Sequence, residues 1–441
     1  MAVNRREFIS SATRVSAALG AVLFAGHGFA APTRSPNERL NLAAIGVGNK
    51  GKHNIDELKD QNWVAFCDVD ENILNASAAE FAGVKKFRDY RRMFDEMAND
   101  IDAVVISTAD HTHAPATSIA LDLGKHAYCE KPLTHTVAES RAIAKLAAKQ
   151  KVATQMGIQI HAGDNYRRVV ELIQSGTIGN VTSVYSWCNK DWSGGRFCTE
   201  PQTPPANLDW DLWLGPAQER PYCAEIHPGN WRRYWEFGSG TFGDMACHVM
   251  DLPFWALDLQ HPKRVRCEGP DRHPVGTPKW TRASYEFERN DQPLMFHWCD
   301  GGENFDVVRE TMDAEGKPLS DWGLGVLFVG DKGMLAADYG RRQLLPAESF
   351  QEAIAPPQTI ENSIGHWNEW IHACKTGAPT TCNFDYASRL TETVLLGIVA
   401  YRGEGDVVWD SENLTCVGND RASELISKVY RKGFEVVGLK S

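Results

Sequence analysis

The stretch Asn41-Leu-Ala-Ala-Ile45-Gly46-Val-Gly48-Asn49-Lys50-Gly51, continuing through a helix-compatible His53 to Lys59 and an apolar Trp63 to Cys67 onto Asp68, decides the fold. A short apolar run that breaks into spaced glycines and then into a helix predicts strand, tight turn and helix start. In such a unit the first glycine makes the turn, the second lets backbone approach a pyrophosphate, and the third lets the helix pack closely. The phosphate takes the unpaired amides of the first helical turn. Three glycines alone are a weak signal. Here the strand before them, the helix after them and an acid 22 positions beyond Gly46 complete the pattern, which places its acid about 20 residues on. Asp68, at the end of the second strand, would accept hydrogen bonds from an adenosine ribose and repel a 2′-phosphate, so NAD is expected rather than NADP. Gly46, Gly48, Asn49, Lys50, Gly51 and Asp68 are the first cofactor-binding candidates.

A chain of 441 residues is long enough for two or three domains. Its 43% hydrophobic and 23% charged residues are those of an ordinary globular protein, and a formal charge of -11 argues against nucleic acid or an anionic membrane as partner. The first thirty residues read differently. Arg5-Arg6-Glu7-Phe8-Ile9, the small apolar run Val15 to Ala25 and Gly28-Phe29-Ala30 resemble a twin-arginine export signal, so residues 1–30 are expected to lie outside the fold of a periplasmic protein. No other segment reaches the roughly 18 apolar residues of a membrane helix, so no membrane association is expected of the mature form. The eleven cysteines are scattered, without a CxxC pair or a metal-ligand cluster, so no metal is expected. Several sit in apolar runs as buried thiols, and Cys188 with Cys198 could close a loop.

Beyond Asp68, helices are predicted at Glu71 to Phe81, Tyr90 to Ala98, Thr117 to Leu123 and Thr136 to Lys149. They alternate with strands at Val84 to Phe87, Ala103 to Ser107, His126 to Cys129 and Val152 to Met156. This alternation predicts a parallel sheet covered on both faces. Ligands of such sheets lie beyond the carboxyl ends of the strands, so Thr108, His113, Glu130 and Lys131 share a rim with the glycine loop and join the cofactor candidates. The pattern then changes. A helix to Gln174 and an alternating strand, Val181 to Trp187, lead into an irregular Gly-, Pro- and Trp-rich section from Asp191 to Trp235. A helix follows at Gly240 to Leu259. Strands are predicted at Arg282 to Arg289, Leu294 to Cys299, Val326 to Val329 and Met334 to Ala337, and helices at Ile364 to Lys375 and from an Asp385 cap to about Tyr401. The fold class is therefore α/β: a Rossmann dinucleotide-binding domain (38–158), an α+β domain on a large, mainly antiparallel sheet (159–402), and a C-terminal extension packing back on both (403–441).

Taking hydride from an alcohol requires a base for the hydroxyl proton and a donor for the developing oxyanion. Lys131 follows a buried strand, which fixes its backbone on the rim. Asp244, His248 and Asp251 stand at i, i+4 and i+7, on one helix face. Taken singly, Lys131 reads equally as a solvated lysine and His248 as a core histidine. In the irregular section, Trp192, Trp231 and Trp235 offer flat faces suited to the CH surface of a pyranose, and Arg196 and Arg232 offer donors to hydroxyls. With Asp244 and His248 these are the substrate-binding candidates; the alternative is that the tryptophans simply pack a long loop.

From Asn41 to about Phe434 the chain resembles the family of glucose-fructose oxidoreductase, inositol dehydrogenase and rhizopine-catabolism proteins (Gfo/Idh/MocA). The resemblance rests on the glycine loop, Asp68, His113 within Asp110-His-Thr-His-Ala, Glu130-Lys131-Pro132-Leu133, Asp244 and His248 with Asp251, and Leu395-Leu-Gly397. It implies NAD(P)-dependent oxidation of a hydroxyl on a sugar, glycoside or cyclitol, with Lys131, Asp244 and His248 as the proton-transfer groups. It also implies a cleft between two domains and a homo-oligomer, dimer or tetramer, formed through the C-terminal sheet. Ser239-Gly240-Thr-Phe-Gly243 and Met245-Ala-Cys247 depart from the usual pattern, while the interval from Asp244 to His248 is kept. The family also contains redox-assisted glycosidases, which oxidise C3, eliminate the aglycone from C1, add water and return the hydride. That route needs a base directed at C2 and a group assisting departure of the aglycone, for which His161, Asp164, Tyr166, Asp191 and Glu200 are candidates, with no spacing singling one out. A noncatalytic nucleotide-bearing binding protein is a third reading. The intact Lys131 favours plain oxidation.

Overall fold

The computed structural model describes residues 39–352 and 354–439; the export-signal reading of residues 1–30 falls outside them. The first domain is built on six strands, β1 (Asn41–Ile45), β2 (Asn62–Cys67), β3 (Lys85–Phe87), β4 (Ala103–Ile106), β5 (His126–Cys129) and β6 (Thr154–Met156). They run in the order β3-β2-β1-β4-β5-β6, every pair parallel. The β-branched and alanine-rich runs of β1 and β4 are buried on both faces, as helix-covered parallel strands require. The chain starts at β1, builds outward to β3 and returns to β4. The loops after β1 and β4 therefore part at the switch point where such sheets hold ligands.

Local chemistry sets the helix starts. Asp70 accepts from the amides of Asn72 and Ile73, Asp89 from that of Arg91, and Thr136 forms a reciprocal capping box with Glu139. Boundaries shift by up to three residues at the helices Lys50–Glu57, Glu71–Ala78 and Gly240–Ala256, and by more at the helix predicted from Thr117, which begins at Asp110 and runs to Asp122. Its first two turns are polar yet buried and contain Pro115, so they carry no amphipathic period to read.

The second sheet has nine strands: β7 (Val181–Cys188), β8 (Arg264–Glu268), β9 (Arg282–Arg289), β10 (Gln292–Asp300), β11 (Leu324–Gly330), β12 (Gly333–Ala337), β13 (Arg342–Leu345), β14 (Val407–Asp410) and β15 (Thr415–Val417). Their order is β13-β12-β11-β7-β10-β9-β8-β14-β15, antiparallel except for β7 beside β10. Helices Gly240–Ala256 and Phe384–Arg402 pack on it. Two placements cut across the sequence divisions. The extension after 402 supplies β14 and β15 to the sheet edge. Helix His366–Thr376 sits on the first domain, with Trp370 and Ile371 in one apolar cluster with Leu42, Ala44 and Phe66. The cap of the last long helix is Asn383, which accepts from the amides of Asp385 and Tyr386, and not Asp385. Cys198 is bonded to Cys223 rather than to Cys188, whose backbone is held in β7 between Leu324 and Asp300.

Candidate active site

The carboxyl ends of β1, β2, β4 and β5 open onto a cavity of about 430 Å³, closed from the second domain by the turn Trp231–Arg233 and by His248 of helix Gly240–Ala256. At its floor Gly46 has φ 79° and donates its amide to Cys67 O at 2.9 Å. A Cβ on Gly46 would stand 2.7 Å from Ser107 O, and one on Gly51 would stand 1.9 Å from Gly46 O, so the backbone crossing admits only glycine. Helix Lys50–Glu57 begins there with no side chain capping it, and its first turn closes on the loop, Gly51 N and Lys52 N donating to Gly48 O at 2.8 and 3.4 Å and His53 N to Asn49 O at 3.1 Å. Asp68 accepts from Val47 N at 2.9 Å and from Asp70 N at 3.0 Å; burial raises its carboxyl against these bonds. Cradle, bare helix start and acid fit a nicotinamide dinucleotide, with Gly46, Gly48, Asn49 and Lys50 toward the pyrophosphate and Asp68 toward a ribose. Gly51 packs behind the loop and does not line the cavity.

The rim after β4 and β5 is tied together. The His113 ring spans Pro132 O at 2.8 Å and Thr108 O at 3.0 Å, and burial lowers its pKa to about 4, so at neutral pH only one nitrogen donates. Buried Glu130 accepts from Asn54 at 2.9 Å and from Gln159 and Tyr128 at 3.3 Å, with Lys50 at 3.9 Å. These contacts hold Lys131 in place. Its ammonium donates to Asp244 O at 2.9 Å and pairs with Asp244 Oδ1, which also accepts from Arg232 Nε at 2.8 Å. The two cations hold the Asp244 carboxyl well below the usual range despite its burial. Arg232 lies over the Trp231 ring, 4.1 Å from its centroid. Beside them His248 is pushed down to about 3 by burial and by Lys131, so its imidazole is neutral, with Nδ1 buried and unpartnered among the described residues. An ammonium fixed by a carboxylate and a neutral imidazole can bind an alcohol oxygen and receive its proton.

Not every candidate from the sequence comes to this cavity. Trp231, Arg232, Thr108, His113, Glu130, Lys131 and His248 line it, and Asp244 stands directly behind Lys131. Trp192, Arg196 and Trp235 do not. Thr241 and Thr277 hold the backbone of Trp192, Tyr234 bonds the carbonyl of Arg196, and the Trp235 indole donates to His273 O and lines a separate cavity with Arg402 and Lys428. His161, Asp164, Tyr166, Asp191 and Glu200 also lie outside its lining. His161 is bonded to Asp251 at 2.9 Å and stacked on Trp255, and Tyr166 donates to His248 O. Conversely, Arg88, Asp110, Gln159, Trp213 and His227 line the cavity without having been singled out by spacing. Among the described residues, no helix is long and apolar enough to cross a membrane, and no group of His, Cys, Asp and Glu could hold a metal ion.

Comparison with known proteins agrees with this architecture. Residues 40–158 match "Oxidoreductase family, NAD-binding Rossmann fold", and residues 167–306 match "Oxidoreductase family, C-terminal alpha/beta domain". Levoglucosan dehydrogenase of Pseudarthrobacter phenanthrenivorans is 28% identical over 232 residues, 49% of this chain and 50% of that protein. Inositol 2-dehydrogenase of Rhodococcus erythropolis is 34% identical over 154 residues, 34% of this chain and 44% of that protein. The chain thus spans about half the length of the curated relatives it matches. Among solved structures, GenD2 from gentamicin A biosynthesis, in complex with NAD, superimposes with a TM-score of 0.58 at 19% identity, covering 87% of this chain and all of that one. The two matched segments take in more than half of the chain, and the protein belongs to the Gfo/Idh/MocA oxidoreductase family.

Proposed function

We propose that this protein is an exported NAD-dependent dehydrogenase that oxidises a hydroxyl of a sugar, glycoside or cyclitol. The observation that carries the reading is the Lys131–Asp244–Arg232 cluster with neutral His248 in the same cavity as the glycine loop and Asp68. When bound, the nicotinamide accepts the hydride. The chain's own residues do the rest. Asp244 holds the Lys131 ammonium, which hydrogen-bonds the substrate oxygen as charge builds on it, and His248 offers a lone pair to the hydroxyl proton. Trp231 supplies an apolar wall and Arg232 donors for the other hydroxyls. The names of the levoglucosan and inositol relatives support this substrate class.

The redox-assisted glycosidase route is disfavoured because none of the five candidates for its C2 base and its leaving-group assistant lines the cavity. The deciding experiment incubates the protein with an aryl glycoside in deuterated water and NAD in an amount at least equal to the glycoside. An accumulating keto sugar with the glycosidic bond intact is expected. Release of the aglycone with deuterium entering C2 and no net NADH would overturn the dehydrogenase reading.

A further inference from the structure

A second cavity, of about 540 Å³, shares a segment of chain with the active one: Trp231 and Arg232 line the first, and Trp235, Glu236, Gly238 and Ser239 line the second. The end of helix Phe384–Arg402 and the chain from Leu425 to Val429 close its other sides. Its volume falls within the roughly 300–1,000 Å³ of small-molecule sites. Leu395, Ile398 and Val399 give it an apolar wall, and three charged side chains reach it, those of Glu236, Arg402 and Lys428.

Two of the three are occupied. Lys428 pairs with Glu139 at 2.9 Å and donates to His111 O and His135 Nδ1, both at 3.3 Å, so all its ammonium protons are used. Glu236 pairs with Arg220 and accepts from Gln218 N at 3.1 Å. Arg402 differs. Among the described residues no group accepts a hydrogen bond from its guanidinium and no acid pairs with it. Its charged and titratable neighbours bring no counter-charge either: Arg421 is paired with Glu404 at 2.7 Å, and His135 is kept neutral by burial. Half-buried, Arg402 lies over the Trp235 ring, 5.1 Å from its centroid, and that indole is fixed by its own bond to His273 O at 3.1 Å. The carbonyl end of a helix favours a cation in its last turn, which accounts for the charge at this place. It leaves the N–H fork without an acceptor.

We propose that this cavity binds an organic monocarboxylate, its carboxylate on Arg402 and its aromatic or aliphatic body against Leu395, Ile398 and Val399. A carboxylate meets a planar guanidinium through two parallel hydrogen bonds, and it supplies the counter-charge that the surrounding chain does not. One unpaired cation suits one negative charge. A phosphate dianion would bring a second charge toward Glu236 with no further free cation to hold it, and should bind more weakly. The competing cations for such a ligand are Lys131 and Arg232 in the active cavity, and both are already held by Asp244. The site stands apart from the hydride chemistry and does not depend on the dehydrogenase reading.

The probe is para-benzoylbenzoate, whose benzophenone labels nearby C–H groups under near-ultraviolet light, with para-benzoylbenzamide as its neutral counterpart. Calorimetry on the full chain saturated with NAD should show saturable binding of the acid, at least about 10-fold tighter than that of the amide or of inorganic phosphate. Arg402→Gln should weaken it by about 10-fold or more. Arg402→Lys, which keeps the charge and loses the fork, should weaken it less, and Lys131→Met should leave it unchanged. Photolabelling of the unsubstituted protein, read by peptide mass spectrometry, locates the probe without relying on any variant: the label should fall within residues 235–239, 395–402 or 425–429. The proposal is overturned by an absence of saturable binding, by equal affinity for the amide or for phosphate, by undiminished binding to a folded Arg402→Gln protein, or by loss of binding in Lys131→Met. A label confined to residues outside these three segments overturns it as well, and decides the matter alone if Arg402→Gln does not fold.

Discussion

Replacing Asp244 by asparagine probes the centre of the site most directly, because one oxygen holds two cations. In the folded protein Oδ1 pairs with Lys131 and accepts from Arg232, and the Lys131 and Asp244 side chains are only 11% and 14% exposed. Removing one member of a buried ion pair costs about 3–5 kcal/mol, since the partner is left charged and desolvated. Asparagine keeps an oxygen to accept one of the two hydrogen bonds, Lys131 keeps its bond to Asp244 O, and the Arg232 side chain is 34% exposed. About half of that cost, roughly 2 kcal/mol, is the expected loss at neutral pH. The sign with pH follows from the depressed folded-state pKa. Such a carboxylate contributes its full stability above its unfolded value of about 4 and loses it only as pH falls through the folded value, so the loss should be constant between about pH 6 and 8. Urea unfolding of the wild type, Asp244→Asn, Lys131→Met and the double variant measures it. Lys131→Met removes one stranded cation, so the double variant should recover about 1 kcal/mol relative to additivity. An Asp244→Asn protein within about 0.5 kcal/mol of wild type, or strictly additive substitutions, would refute the pairing.

Three further outcomes are expected. Lys131→Met should lower turnover about 100-fold or more while calorimetric NAD affinity stays unchanged, because the glycine loop and Asp68 do not depend on it; equal turnover would remove Lys131 from the chemistry. The fold should weaken in mild acid: His111, His248 and His366, at about 3, and His113, at about 4, gain their protons only on unfolding as pH drops below about 6.5. Asp110 and Asp300, both at about 7, act in the opposite sense. His135 and His297, also lowered by burial, add to the histidines, so protons are taken up on net as the protein unfolds, and a denaturation midpoint that holds or rises from pH 7 to 5 would contradict it. Finally, Cys198 and Cys223 close a loop with a sequence separation of 25, and Cys223→Ser should cost up to about 3.5 kcal/mol by freeing the unfolded chain. Thiol alkylation followed by mass spectrometry should find that pair protected in protein exported to an oxidising compartment; finding both thiols free would remove the clip and one support for export.

What could be read in advance divides along a physical line. The glycine loop was legible because its demands are local: a positive φ at Gly46 and a backbone crossing at Gly51 exclude side chains whatever surrounds them. The parallel strands were legible as continuous buried runs, and the Asp244–His248 pair as one helical turn. Four strands, β8, β13, β14 and β15, were missed because they are short and lie toward the sheet edges, where charged and exposed positions leave too little apolar period. The tryptophans had no local rule at all. Trp192, Trp231 and Trp235 share one composition and one irregular section, yet only Trp231 reaches the cavity.

Tertiary packing does that sorting. Trp210 stacks on Trp213 with ring centroids 4.7 Å apart, and Trp213, Trp231, Tyr234 and Phe237 form one apolar cluster that includes Cys223 and packs against Cys198. In the proposed reading this cluster is the substrate-side wall, two of whose members, Trp213 and Trp231, line the cavity, and the strand ends of the first domain are the cofactor-side floor. The wall and floor meet through several links, among them Arg232 to Asp244 to Lys131, the backbone bond from His111 N to Phe237 O at 3.3 Å, the His111 ring on Trp213 O at 3.1 Å, and the backbone bonds from Glu71 N to Asn207 O and Asp209 N to Val69 O. Opening the disulfide should therefore raise KM for the sugar before it changes NAD affinity, since it loosens the wall and leaves the glycine loop intact. Equal losses in both affinities under reducing conditions would show that wall and floor are one cooperative unit and that the site cannot be divided in this way.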